Sequence, residues 1–167
     1  KPYLIFKEMY VQALNANQKN IEAMSISSYN ESTKMVNNRF VNLKFVNKDR
    51  FIFFTNYKSP KSVEFNSHKQ VAAVLFWGNT NTQIRIVGNI KKTSSAFNEK
   101  YFKTRSSYKN ALAISSNQSS KINSYDEVIK KYTHAFEGSK VLSCPSYWGG
   151  YCIEAFEIEF WKGNRSR

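Results

Sequence analysis

The side chains able to do chemistry fall into three short cationic clusters. The first is Arg39-Phe40-Val41-Asn42-Leu43-Lys44. On a strand, Arg39, Val41 and Leu43 project to one face, and Phe40, Asn42 and Lys44 to the other. A cation within an otherwise apolar strand calls for an anion or water in front of it; an edge strand with solvated cations fits the spacing equally well. The second cluster runs from Thr55 to Ser62 (TNYKSPKS), a strand end leading into a helix start. Free backbone N–H groups, the helix dipole, hydroxyls and lysines together make a phosphate site, although an ordinary capped turn carries the same residues. The third pairs Tyr101 with Arg105, one helical turn apart, with Gln118-Ser119-Ser120-Lys121 beyond. Two such side chains can grip one anion, or form a plain surface pair.

What accompanies these clusters narrows the chemistry. His68 and His134 are the only histidines and form no HExxH pair, so no metal site is expected. Cys144 and Cys152 cannot build a disulfide framework and read as buried thiols in a reducing cytoplasm. The six glycines match neither a dinucleotide-binding fingerprint nor a P-loop. Acids are sparse, 12 in all, and three of them are Glu154, Glu157 and Glu159. Redox or electrophilic work would have to come from a borrowed cofactor, and cationic clusters without catalytic acids suit an anionic one.

The 167 residues carry 25 basic and 12 acidic side chains, a formal charge of +13. That balance fits nucleic acid, an anionic membrane or phosphorylated ligands. Lys and Arg are scattered along the chain rather than gathered into a tail or a helix stripe, a spread that usually marks a solvated surface, so charge alone decides nothing. The longest apolar run, Val71 to Trp77, is too short to span a bilayer. No signal peptide opens the chain, which begins at Lys1. Aromatic residues make up 16% of the chain, enough with the aliphatics for one proper core, and a single domain over 1–167 is expected.

The elements that must position the clusters follow from periodicity. Tyr3, Phe6, Met9, Tyr10, Ala13 and Leu14 predict an amphipathic helix over 3–14. Strands are expected at 23–29, 38–46 and 50–55, with a turn at Asn47-Lys48-Asp49. Ser59-Pro60 opens a short helix to about Ser67. Strands follow at 70–77 and 82–92, then helices at 95–105 and 108–115. Ser124 to Glu127 is a capping box whose helix Gly138 ends. Two final strands are expected, 151–155 and 156–162. Strands at the centre with helices between them predict an α+β, barrel-like domain.

In this order the clusters resemble the pyridoxamine 5′-phosphate oxidase (pyridoxine 5′-phosphate oxidase) family. RFVNLK (39–44) resembles the family's R-x-V-L-L-K, and FFTN (53–56) with Ser59 and Lys61 resembles its Y-T-N…S-R-K. TQIRIVG (82–88) is similar to R-Q-V-R-x-x-G, KYFKTR (100–105) to Y-F-x-x-R, and NQSSKI (117–122) to Q-S-S. PSYWGGY (145–151) and EFWKGNRSR (159–167) resemble the W-G-G and E-F-W-x-G…R segments. Seven motifs in register cover nearly the whole chain.

The resemblance implies an α+β FMN-binding split β-barrel, antiparallel and Greek-key-like, with flanking helices. It implies a cytoplasmic homodimer with FMN at the subunit seam. Arg39, Phe40, Val41, Asn42, Leu43, Lys44, Phe54, Thr55, Lys61 and Gln83 match positions lining the flavin and its phosphate. Gln118, Ser119 and Trp161 match positions reaching FMN, in part from the partner chain. Lys44, Tyr101, Arg105 and Lys109 match the grip on the substrate phosphate. Arg167 matches the catalytic Arg of an Arg-x-His substrate segment. The implied reaction oxidises pyridoxine or pyridoxamine 5′-phosphate to pyridoxal 5′-phosphate, with O2 as acceptor and H2O2 as product, and involves no metal, membrane or nucleic acid. Departures are Pro60 for Arg, Lys109 for Ser, Phe54 for Tyr and Thr82 for Arg; the chain stops at Arg167, before the family's His and last strand. Two other readings remain at this point: a flavin carrier or reductase of the same fold without the oxidase activity, and a basic nucleic-acid-binding module.

Overall fold

A computed structural model describes residues 1–116, 121–122, 124–138 and 141–164. The order is α1 (Pro2–Asn15), β1 (Ala23–Asn30), β2 (Met35–Asn47), β3 (Arg50–Asn56), α2 (Pro60–Ser67), β4 (Gln70–Trp77), a 3-10 turn (Gly78–Thr80), β5 (Thr82–Lys92), α3 (Ser95–Thr104), α4 (Ser107–Ser115), α5 (Tyr125–Glu137) and β6 (Trp148–Lys162). The strands close into a barrel in the order β1-β2-β3-β6-β5-β4. The chain divides into two compact units, one of 1–54, 64–91 and 151–167, the other of 55–63 and 92–150.

The first unit is built on period-two burial. β1 and β4 alternate cleanly, sending Met24 and Ile26, then Val71, Ala73, Leu75 and Trp77, inward. Phe51 and Phe53 of β3, Ile84, Ile86 and Ile90 of β5, and Tyr151 and Ile153 of β6 complete the apolar interior. From α1, Phe6 packs edge-on against Phe51 (5.4 Å) and Trp77 (5.8 Å). The Trp77 indole N–H donates to Ile21 O at 3.0 Å, so this large ring is buried without an orphaned donor. β2 and β3 join through a two-residue turn, with Asn47 opposite Arg50 and Lys48 at φ 56°.

β6 is one 15-residue strand, where the sequence suggests two. The junction Ala155-Phe156 holds no Gly, Pro, Asn or Asp to turn the chain. The strand instead runs unbroken to Lys162, and Ala155 N–H donates to Asp49 O in the β2–β3 turn at 2.8 Å. β2 likewise starts at Met35 rather than Asn38, because Asn30 to Ser28 on β1 pair with Met35 to Asn37.

A buried carboxylate ties α2 to the β1–β2 pair. Glu64, 2% exposed, accepts from Asn37 Nδ2 (2.7 Å), from Arg39 Nη2 (2.8 Å) and from the Ser28 hydroxyl. Burial alone pushes the Glu64 carboxyl up, but the hydrogen bonds of Ser28, Arg39 and Asn37 and the Arg39 charge outweigh it and hold it below its usual value.

The second unit centres on Trp148 and Asn98. Trp148 meets Phe102 edge-on at 4.9 Å and stacks with Tyr101 at 6.3 Å. Asn98, buried, donates to the Tyr57 hydroxyl (3.1 Å) and accepts from Gly150 N–H (2.9 Å) and from the Thr93 hydroxyl. Ser94, Ser106 and Ser124 cap α3, α4 and α5 by accepting from Phe97, Lys109 and Glu127 N–H. Cys152 is buried and Cys144 half-buried; both are free thiols. No helix among the described residues is long and apolar enough to cross a membrane.

Two outcomes follow from these contacts. A Cβ on Gly88 would lie 2.5 Å from Glu154 O and 2.7 Å from Ile153 Cγ2, whereas one on Gly78 meets nothing nearer than 3.7 Å. Gly88→Ala should therefore lower the unfolding free energy in urea by about 1–3 kcal/mol or more, as overpacking does. Gly78→Ala should leave it nearly unchanged, and equal effects would contradict the close approach of β5 to β6. For Glu64, a folded pKa below the unfolded one means stability present above about pH 4.3 and lost as pH falls through the lower folded value. The acid-side fall in thermal midpoint should be shallower in Glu64→Gln; an unchanged slope would contradict the ion pair.

Candidate functional site

In the barrel unit, the β1–β2 register sets the first cluster. Asn37, Arg39 and Val41 lie opposite Ser28, Ile26 and Met24, and so share the face turned toward the barrel interior. Phe40 lies on the other face, 75% exposed. The anion that the sequence demands in front of Arg39 is Glu64 of the same chain. Arg39 Nη1 also reaches Ser28 Oγ at 2.5 Å and Ile26 O at 3.4 Å. Sequence reasoning missed Glu64, which lies 25 residues from Arg39 along the chain.

Farther along β2, Leu43 is buried and the half-buried Lys44 forms an ion pair with Glu22. The pair borders a cavity of about 380 Å³ between α1, which supplies Tyr3, Lys7 and Tyr10, and β2, which supplies Leu43 and Val46. Asn42 is exposed. Phe54 stands edge-on to Phe45 at 6.2 Å. On β5, half-buried Gln83 pairs with Phe76 of β4. Trp161 on β6 is partly exposed.

In the second unit, the Thr55–Ser62 segment forms a tight polar cradle. Lys61 is 6% exposed, and its ammonium donates to Thr55 Oγ1 and Ser59 Oγ, each at 3.2 Å. Ser62 Oγ donates to Asn56 O at 2.9 Å and lies 3.1 Å from Ser59 Oγ. Pro60 occupies the first turn of α2, where a missing N–H costs nothing. An ammonium, three hydroxyls and a helix N-terminus in one turn fit a phosphate dianion.

Arg105 and Tyr101 converge on one indole. The guanidinium carbon of Arg105 lies 4.5 Å from the Trp148 ring centroid, on the ring against which Tyr101 stacks. Arg105 Nη2 donates to Lys109 O at 3.0 Å. Arg105 Nη1 is buried and has no hydrogen-bond partner among the described residues. A buried guanidinium nitrogen left in that state is costly, and an anion arriving there removes the cost. Lys109 enters through its carbonyl, with its side chain exposed. Sequence reasoning named Tyr101 and Arg105 but gave no role to Trp148, the surface that aligns them. Gln118, Ser119 and Arg167 lie outside the described residues.

Residues 11–137 match the protein family described as pyridoxamine 5′-phosphate oxidase. The chain is 32% identical to the pyridoxine/pyridoxamine 5′-phosphate oxidase of Leptospira interrogans, over 99% of this chain and 78% of the relative. It is 36% identical to the protein of that name from Colwellia psychrerythraea, over 99% and 77%. Among solved structures, PhzG from Burkholderia lata, in complex with tetrahydrophenazine-1-carboxylic acid, superposes with a TM-score of 0.94 at 22% identity, covering 100% of this chain and 82% of its own. A pyridoxamine 5′-phosphate oxidase-related, FMN-binding protein from Nostoc punctiforme gives 0.76 at 13% identity, covering 94% and 84%. The barrel with its helices is thus the α+β FMN-binding split barrel expected from the sequence. With the family matched over most of its length and relatives above 30% identity along its whole extent, this chain belongs to the pyridoxamine 5′-phosphate oxidase family.

Proposed function

We propose that the protein is an FMN-dependent oxidase that converts pyridoxamine or pyridoxine 5′-phosphate to pyridoxal 5′-phosphate. The observation that carries the reading is Arg105, whose buried Nη1 is without a partner among the described residues. When bound, FMN supplies hydride acceptance from the C4′ carbon and transfer of the electrons to O2, giving H2O2, with ammonia released from the amine substrate. Lys61, Thr55 and Ser59 hold its phosphate in this reading, and Arg39, Phe40, Val41, Asn42, Leu43, Phe54 and Gln83 line the flavin. Each charge-assisted hydrogen bond to a phosphate contributes about 1.5–3 kcal/mol. Tyr101 and Arg105, aligned by Trp148, grip the substrate phosphate in this reading, and Lys44 and Lys109 are further proposed substrate contacts.

Gln118, Ser119 and Trp161 complete the flavin site across a homodimer seam, and Arg167 serves the substrate. The reading takes 1–167 as one flavin domain acting in the cytoplasm. The Lys44–Glu22 ion pair favours a second reading, because a lysine already held by a carboxylate is less available to a substrate phosphate. A flavin carrier or reductase of the same fold would retain FMN without this turnover.

The purified protein should be yellow and should form an aldehyde and H2O2 from pyridoxine 5′-phosphate; a yellow but inert protein selects the second reading, and a colourless one contradicts both. Within the first reading, Arg105→Ala should raise KM by about 10–100-fold, the loss of one charge-assisted bond. Its FMN dissociation constant should stay near that of the unaltered protein. Equal losses of both would show that Arg105 is misassigned.

A further inference from the structure

Glu64 is a buried carboxylate to which the proposed chemistry gives no task. It reaches the β1–β2 pair from α2, and its contacts are arranged around Arg39. Ser28 donates its hydroxyl proton to Glu64 and accepts from Arg39 Nη1 at 2.5 Å, so one hydroxyl bridges the two charges. Glu64 Oε2 accepts from Arg39 Nη2 at 2.8 Å, and Ile26 O lies 3.4 Å from Nη1. Asn37 Nδ2 holds the other carboxylate oxygen at 2.7 Å.

A guanidinium carries five N–H donors in a rigid plane. Among the described residues, Ser28, Ile26 and Glu64 engage three, leaving two. With both terminal nitrogens held, the plane of the group is fixed, and with it the directions of the remaining donors. Arg39 is 20% exposed while Glu64 is 2% exposed, so the carboxylate grips the guanidinium from the buried side and leaves the accessible side to Arg39.

We propose that Glu64 is a positioning residue that, through Arg39 and with Ser28 as bridge, aims the two remaining guanidinium donors at the flavin. The inference rests on the reading of Arg39 as flavin-lining. A staple that merely fastened α2 to the sheet would need no bridge between Ser28 and the guanidinium, and its loss would act on folding alone. A positioning role acts on FMN affinity and only while Arg39 is present.

The test is a double-mutant cycle on the FMN dissociation constant of the full chain, read from flavin fluorescence, with Glu64→Gln, Arg39→Met and the combined variant. Glu64→Gln should weaken FMN about tenfold when Arg39 is present, the equivalent of one charge-assisted hydrogen bond. In the Arg39→Met background the same change should alter it by about twofold or less. Equal factors in both backgrounds, or no effect in either, would overturn the proposal. Should Glu64→Gln fail to fold, Ser28→Ala removes the bridge and keeps both charges; a loss of affinity confined to the Arg39 background supports the proposal, and a background-independent one overturns it. Unaltered protein that takes up no FMN removes the flavin reading and this inference with it, whereas uptake with background-independent factors overturns this inference alone.

Discussion

Burying a cation is costly unless the protein supplies hydrogen bonds and charge to receive it. Three basic side chains meet that constraint in three ways. Arg39 is compensated by a buried carboxylate and a bridging hydroxyl. Lys61 sits among the hydroxyls of Thr55 and Ser59. Arg105 lies on the face of Trp148 with one nitrogen buried and unmatched among the described residues. These frames hold each cation in a fixed direction before any ligand arrives. Preorganisation of this kind lowers the ordering cost of binding a phosphate.

Local physics made much of this legible in the sequence. Alternation located β1 and β5, where one face is buried and the period is two, and short apolar runs located β3 and β4. Ser59-Pro60 marked the start of α2, and Ser124 with Glu127 marked that of α5, since those residues satisfy or dispense with the first helical N–H groups. The cationic clusters stood out because charge within an apolar strand needs a reason. Two further features depend on partners distant in sequence. Glu64 meets Arg39 from 25 residues away, a contact fixed only by the packing of α2 on the sheet. Trp148 aligns Tyr101 and Arg105 from a segment more than forty residues later. β6 was misread at its middle because burial weakens there while the strand runs on.

The family assignment constrains chemistry more tightly on the flavin side than on the substrate side. The Lys61 cradle needs only an ammonium, hydroxyls and a helix start, and it tolerates Pro60 for the family's usual Arg. Across the positions proposed for the substrate the departures accumulate: Lys109 contributes its carbonyl, and Lys44 faces Glu22. The same barrel serves PhzG, solved with a carboxylated phenazine. Fold alone does not fix the substrate. Phosphate recognition is therefore the property on which the account stands.

The most direct measurement of that property is the ratio of dissociation constants for FMN and riboflavin, which differ only in the phosphate, at one salt concentration. Two charge-assisted bonds to the phosphate would make FMN the tighter ligand by about 10²–10⁴-fold, and the account predicts a ratio in that range. Equal affinities would mean that the buried cations do not receive a phosphate, and would contradict it.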